Sequence, residues 1–401
     1  MMTTMVFLVH YGRGGSTIAM LPFVKALSDT RCILVTRRND EGAALFAGDV
    51  AETIVCRFPL TLNVTGMDRF LTPGDALMKW VKDVVKAPVA FLIAIRLLMR
   101  VRPASIVIGD FPLLPVVAAA ALLRIPAVVL VQTSVSEHPL KRRLVRSLLR
   151  NAKAVIGITD AHLDGLRSGS SGQTRYAVIP NTFRPDVSED REGKLFLDGI
   201  QIQGKKIVLF LGGVSRIKGT ELFVKAASLV CAERDDVLFV IAGPFHRAQK
   251  SPYGVGTTDI DADVNARVFS SANAPSVRDR FRFIGETPHI GPLFMASEFH
   301  VVLNEYPHFS RPIIEGWAYR KPVVSVRDRF TAPLVTDGVN GLLVEPGNIE
   351  ACRQAMTALL NDAERSRRMG EAGHEIYRQR FSPDAVTEPI RNILSPYIGT
   401  Q

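Results

Sequence analysis

Cysteine is scarce: the 401 residues hold four, Cys32, Cys56, Cys231 and Cys352, and no two form a C-x-x-C pair. Such spacing excludes a disulfide scaffold and a cysteine-rich zinc site, and fits a reducing compartment. The eight histidines show no H-x-x-x-H or similar ligand spacing, which argues against a histidine metal centre. A basic n-region is missing ahead of the short apolar run Val6–His10, which breaks at once into Tyr11-Gly12-Arg13-Gly14-Gly15. That run reads as a buried first strand and not as a secretory leader. Long uninterrupted apolar runs are lacking too. Pro112–Val131 comes nearest, but Arg124 and Pro126 divide it, so helix, short loop and buried strand are expected in place of a membrane span.

What is present is globular in character, with 47% apolar and 22% charged residues,. The length suits two domains of roughly 150–200 residues each. The net charge of +10 favours anionic partners: nucleotide phosphates, acidic lipid head groups or nucleic acid. Charge alone does not choose among them. No nucleic-acid-binding motif accompanies it, so that role ranks last and no nucleic acid is expected.

Short Val/Ile/Leu runs alternate with helix-like segments. Strands are expected at Val6–His10, Cys32–Thr36, Ser105–Gly109, Ala127–Val131, Ala154–Ile158 and Ala177–Ile179. A second series follows at Ile207–Leu211, Leu238–Ile241, Phe281–Phe283, His300–Leu303, Pro322–Ser325 and Gly341–Val344. Continuous apolar strands separated by helices indicate parallel sheets covered on both faces. The expected fold class is α/β, with two Rossmann-like parallel-sheet domains facing across a cleft. Residues 1–182 form the first, 183–204 a polar linker, and 205–380 the second. Residues 381–401 are expected as a C-terminal helix packing back towards the N-terminal domain. The segment Phe245–Ser276 reads as an insertion or mobile loop with one helix.

Ligands of open α/β sheets bind beyond the carboxyl ends of the strands, so the loops after strands hold the candidates. The first is Tyr11-Gly12-Arg13-Gly14-Gly15-Ser16, where glycines admit a phosphate to a helix N-terminus. The second is Gly212-Gly213-Val214-Ser215-Arg216-Ile217-Lys218-Gly219, whose two cations can neutralise a diphosphate leaving group. Neither loop has the G-x-G-x-x-G or the G-x-x-x-x-G-K-[ST] spacing, which disfavours a dinucleotide cofactor and a P-loop ATPase. The third runs from Asn304 and Glu305 through His308 to Pro312, Glu315 and Lys321-Pro322. Here Glu315, read as lying on the first turn of a helix starting near Pro312, can accept hydrogen bonds from a ribose diol.

With these motifs in place, the chain resembles family 4 of the retaining glycosyltransferases (glycosyl transferases group 1), of the GT-B fold. The resemblance rests on Lys218-Gly219, Ile241-Ala242-Gly243-Pro244, Phe283-Ile284-Gly285, the Glu315 helix with Lys321-Pro322-Val323, Asp337–Val344 and Met369–Gly373. Ile179-Pro180-Asn181 also matches. It implies a donor-side C-terminal domain and an acceptor-side N-terminal domain. Lys218 would contact the donor diphosphate, and Glu315 the nucleotide ribose. Gly14 and Gly15 would approach the diphosphate, with Gly213 in the facing turn, and Gly285 would lie near the base. The backbone of Phe309, Ser310 and Arg311 would hold the transferred sugar.

The sequence departs from the family in three places. Gly213 stands where the family carries a phosphate-binding Arg, leaving Arg216 as the substitute. Glu305 and Glu315 are separated by nine residues and not seven. The usual His after Ala127–Val131 is absent, with Gln132-Thr133-Ser134 there, His138 further along, and Asp110 as the polar candidate on the acceptor side.

The implied reaction is sugar transfer from a nucleotide-sugar donor (UDP-, GDP- or TDP-sugar) to a glycan, polysaccharide or lipid-linked acceptor, with retention and without a metal. Asp259, Asp261 and Asp263 form a D-x-D-x-D, read as a solvated loop. Leu140–Arg150 reads as a basic amphipathic helix, open to an anionic membrane surface or to packing its leucines on the sheet. The expected location is cytoplasmic, with peripheral attachment to the inner membrane face as an option. Two rivals remain: a nucleotide-sugar epimerase on the same fold, and a non-catalytic relative serving as a binding or scaffold protein.

Overall fold

The computed structural model describes residues 4–9, 15–37, 40–56, 73–167, 174–186, 191–202, 204–244 and 258–398. Two compact units divide the chain, one of Met1–Thr182 with Pro383–Gln401, the other of Phe183–Ser382. The first unit runs β1 (Thr4–Leu8), α1 (Gly15–Ile18), α2 (Leu21–Lys25), β2 (Arg31–Thr36), α3 (Glu41–Ala44), β3 (Glu52–Val55), α4 (Pro73–Val101) and β4 (Ser105–Gly109). It continues through α5 (Leu114–Leu122), β5 (Ala127–Val131), α6 (Pro139–Leu149), β6 (Ala154–Gly157), α7 (Asp160–Leu163) and β7 (Arg175–Val178). The second unit holds α8 (Arg191–Gly199), β8 (Lys206–Leu211), α9 (Thr220–Glu233), β9 (Val237–Ala242), α10 (Thr258–Ala272), β10 (Phe281–Gly285), α11 (Ile290–Ala296) and β11 (Ser297–Val302). After these come α12 (Arg311–Ala318), β12 (Val323–Val326), β13 (Gly341–Val344), α13 (Ile349–Asn361) and α14 (Ala363–Arg380). Finally α15 (Pro383–Leu394) belongs to the first unit.

Both sheets are parallel throughout, in the orders β3-β2-β1-β4-β5-β6-β7 and β10-β9-β8-β11-β12-β13. Alternation along each strand supplies both covered faces. In β1, Val6 and Leu8 join Ile106, Val129 and α5 on one face, while Met5 and Phe7 join Val107, Val128 and α15 on the other. In β8, Val208 and Phe210 face α9, and Ile207 and Leu209 face α11. Through Val386, Ile390, Ile393 and Leu394, α15 docks into the first unit, and the Arg391 guanidinium donates to the Ala26 carbonyl at 2.9 Å.

Two elements differ from expectation. Strand β3, Glu-Thr-Ile-Val, is an edge strand whose exposed polar residues carry no apolar signature. The stretch expected as a linker is part of the second unit. Its α8 forms there, and Phe183, Phe196, Leu197 and Ile200 pack with Ile202 against β8 and β9. These few apolar residues are embedded among charges in the sequence.

Candidate functional site

In a parallel sheet the chain leaves its first central strand towards one face and the next towards the other, opening a crevice between their carboxyl ends. In the second unit that point lies between β8 and β11. The β8–α9 turn brings Lys218 there, and the loop from β11 to α12 brings Asn304 to Ser310. The two loops are joined, since the Glu305 N–H donates to the Ile217 carbonyl at 3.0 Å.

A bend at Gly213 sets the first loop. Its φ is +67°, and a Cβ there would strike the Pro244 carbonyl. Its N–H donates to the Ala242 carbonyl, and its carbonyl accepts from the buried Thr220 hydroxyl, both at 2.9 Å. Gly213 therefore shapes the turn, and its amide is already engaged. The same crowding explains why this chain has no Arg at 213. Arg216, the residue expected to replace it, is exposed and pairs at 3.3 Å with Glu305, itself exposed. Those two candidates thus meet each other at the rim.

Lys218 points inward. Its ammonium contacts His308 Nε2 at 3.0 Å, while His308 Nδ1 lies 2.7 Å from the Tyr306 carbonyl. A carbonyl only accepts, so Nδ1 carries the ring proton and Nε2 accepts a hydrogen bond from the Lys218 ammonium. Burial lowers the Lys218 pKa to about 8, against the pull of Glu315. Burial, with Lys218 beside it, holds His308 down at about 3 and keeps it neutral. His308 was not singled out from sequence, because a histidine next to Pro307 carries no ligand spacing. Only the fold shows what it touches.

Glu315 opens the second turn of α12, one residue further in than a start at Pro312 would place it, because the helix begins at Arg311. Its carboxylate is 3.2 Å from the Arg311 guanidinium. Burial raises its pKa, with Arg311 and then Lys218 opposing. It belongs to a half-buried cluster with Lys218 and Arg311. Two buried polar groups in these loops lack a hydrogen-bond partner, Asn304 Nδ2 and Arg311 Nε. The Ser310 side chain at the N-cap makes no capping bond; Pro312 has no N–H, and the Ile313 N–H donates to the Ser310 carbonyl at 3.2 Å, so the Arg311 N–H is the donor that this helix start offers. Phe309 and Ser310 are buried at that helix start. Gly285 ends β10 beside β9, and its carbonyl accepts from the Gly243 N–H at 2.7 Å. The set is cationic, helix-tipped and short of acceptors, which suits a diphosphate.

In the first unit the corresponding point lies between β1 and β4. Gly14 is outside the described residues, and Gly15 opens α1. Asp110 follows β4 with φ 77° and ψ 168°, a backbone region that strains any residue with a side chain,. Its buried carboxylate accepts from the Phe111 N–H at 3.0 Å and lies 3.0 Å from the Thr133 hydroxyl. Desolvation lifts its pKa to about 6 against those hydrogen bonds. His138, weighed as a stand-in for the missing His, precedes α6 as its N-cap. Among the described residues, no cluster of three or more His, Cys, Asp or Glu is placed to hold a metal. Asp263 of the D-x-D-x-D lies on α10 within 3.9 Å of Arg267, while the side chains of Asp259 and Asp261 are outside the described residues.

Two all-parallel α/β units, each with glycine-bearing loops at its switch point, define the GT-B class of fold. Solved structures agree. Anabaena HepE in complex with UDP and glucose matches with a TM-score of 0.76 at 18% identity, covering 98% of this chain and all of that one. An α,α-trehalose-phosphate synthase from Burkholderia vietnamiensis matches at 0.72 and 14%, over 98% and 100%. The Glycosyl transferases group 1 model matches residues 198–376, and the Glycosyl transferase 4-like domain matches residues 14–182. The chain belongs to this family of glycosyltransferases.

Among curated relatives, α-D-kanosaminyltransferase of Streptomyces kanamyceticus is 24% identical over 290 residues, 68% of this chain and 71% of that protein. The lipopolysaccharide core biosynthesis glycosyltransferase LpsE of Rhizobium meliloti is 29% identical over 135 residues, 34% of this chain and 40% of that protein. The lipopolysaccharide core biosynthesis mannosyltransferase LpcC of Rhizobium leguminosarum is 25% identical over 256 residues, 63% and 67%. The chain thus spans less than two thirds of LpsE.

Proposed function

We propose that this glycosyltransferase takes its sugar from a nucleoside diphosphate sugar and transfers it, with retention, to a lipid-linked or glycan acceptor. The observation that carries the reading is the half-buried Lys218–Glu315–Arg311 cluster at the β8/β11 switch point, with unsatisfied donors on Asn304 and Arg311. As the bond from the anomeric carbon to the diphosphate oxygen breaks, negative charge grows on the leaving group. Lys218, the positive end of the α12 dipole and Arg216 answer that charge. Glu315 accepts from the ribose hydroxyls. His308 accepts from Lys218, and phosphate oxygens compete for the same ammonium. The acceptor hydroxyl forms the new bond to the anomeric carbon and gives up its proton to the departing diphosphate oxygen.

UDP is the favoured nucleotide, since a neighbouring fold is described with UDP and glucose. A lipid-linked acceptor is favoured by relatives named for lipopolysaccharide core biosynthesis. Incubation with UDP-, GDP- and TDP-sugars, following nucleoside diphosphate release, tests the reading. Release should occur with one donor family and be lost in folded Lys218→Ala. Turnover at the wild-type rate in that variant contradicts it. The anomeric coupling constant of the product, read by NMR, tests retention.

A further inference from the structure

The longest helix of the chain turns an apolar stripe away from its own core. Among the described residues, α4 carries nine of the sixteen large apolar side chains that stand exposed. Towards the sheet it buries Asp83, Ala90, Ala94 and Leu98 and lies beside α5. At 3.6 residues per turn, Leu77, Val81, Val85 and Leu92 project from the opposite side, with Val85 69% and Leu92 63% exposed. A surface helix serving only its own domain is polar there.

Charge accompanies the stripe. Lys82, Lys86, Arg96 and Arg100 are exposed along one flank. Lys82 and Arg100 lie eighteen residues apart, five full turns, and so share an azimuth. Asp83, the acid among the described side chains of α4, is buried. Residues 73–150 contain twelve Lys and Arg against four Asp and Glu, so they hold eight of the chain's ten net positive charges. By contrast, α6 spends its apolar side on the core: Val145 and Leu149 are buried, Leu144 and Leu148 pack against them, and Leu140 stays exposed.

We propose that α4 is a docking surface for an anionic lipid bilayer. The helix lies in the plane of the head groups, its stripe turned into the acyl boundary and its basic flank on the lipid phosphates. Among the described residues no helix is long and apolar enough to cross a membrane, so the contact is interfacial. Pairing with a second copy through α4 would set these basic flanks against each other without an exposed acid among the described side chains of α4 to answer them,. Nucleic acid would leave the aliphatic stripe unused. The inference draws its purpose from the lipid-linked acceptor reading, holding the enzyme where such an acceptor lies, but the docking does not depend on it.

The full chain would be sedimented with vesicles of pure phosphatidylcholine and of equal parts phosphatidylcholine and phosphatidylglycerol. Binding should be about tenfold or more stronger to the mixed vesicles and weaken as salt rises. Of the two tryptophans, Trp317 is buried and Trp80 partly exposed, so the emission should shift to the blue through Trp80. Val85→Asp with Leu92→Asp should abolish binding, Lys82→Glu with Lys86→Glu should remove the preference for the anionic vesicles, and Leu229→Asp on the second unit should change nothing. Each variant is checked for an unchanged melting temperature and for its UDP-induced thermal shift, which reads the donor site separately. Equal binding by the Asp double variant, or no binding to either vesicle by folded wild type, overturns the proposal. So does a wild-type dimer that Val85→Asp with Leu92→Asp converts to monomer, which would give the stripe to a second copy.

Discussion

Lys218, the residue proposed to meet the donor diphosphate, is held partly buried against a neutral histidine. Its lowered pKa of about 8 has a direct consequence for binding. The ammonium form persists below that value and is lost above it. If only the ammonium binds diphosphate, affinity should fall about tenfold per pH unit above pH 8. Calorimetry across that range checks it, and a flat profile contradicts it. Asp110 has a consequence for stability. Its pKa is raised in the fold, from 3.8 to about 6, so the fold favours the protonated acid. Its contribution is fully present below 3.8 and is lost as pH rises towards 6, roughly 3 kcal/mol in all. Urea unfolding of wild type and Asp110→Asn should therefore diverge in slope across that window; parallel curves would remove the burial argument. Gly213→Ala should cost about 1–3 kcal/mol, since φ is +67° and Pro244 fills the space. Arg at 213 should fold worse still and rescue nothing, as melting temperature and turnover would show.

At the scale of elements, the strands were the most legible part. Ser105–Gly109, Ala127–Val131 and Gly341–Val344 fold over the residues that their apolar runs mark, because a parallel strand covered on both faces must be apolar on both. The edge strand β3 was not legible, for the same reason reversed. Nor was α8, whose packing residues lie among charges. Of the candidate site, Lys218 and Glu315 were legible as residue types after strands. His308, the Arg216–Glu305 pair and the engaged amide of Gly213 depend on how the two loops meet, which no spacing encodes. The terminal helix offers an element-level test. Val386, Ile390, Ile393 and Leu394 are buried in α15, each contributing roughly 1.5–3 kcal/mol. Truncation before Pro383 should lower the unfolding transition of the first unit selectively, visible as a split in calorimetry. A single unchanged transition contradicts that assignment.

Taken whole, the molecule divides its labour by unit and by charge. The second unit holds the half-buried ionic cluster between β8 and β11. The first concentrates positive charge and exposed apolar surface on the layer from α4 to α6, so the net charge of +10 is a local property and not a general one. Without structure the excess could not be assigned, because composition counts charges without placing them. The central claim is that the Lys218–Glu315 cluster holds a nucleoside diphosphate. Isothermal titration with UDP, GDP and TDP tests it most directly, on wild type, Lys218→Ala and Glu315→Gln. One nucleotide should bind the wild type, with affinity falling about tenfold or more in each folded variant, the size of a lost charge-assisted bond. Equal affinity in all three proteins would move the donor site elsewhere.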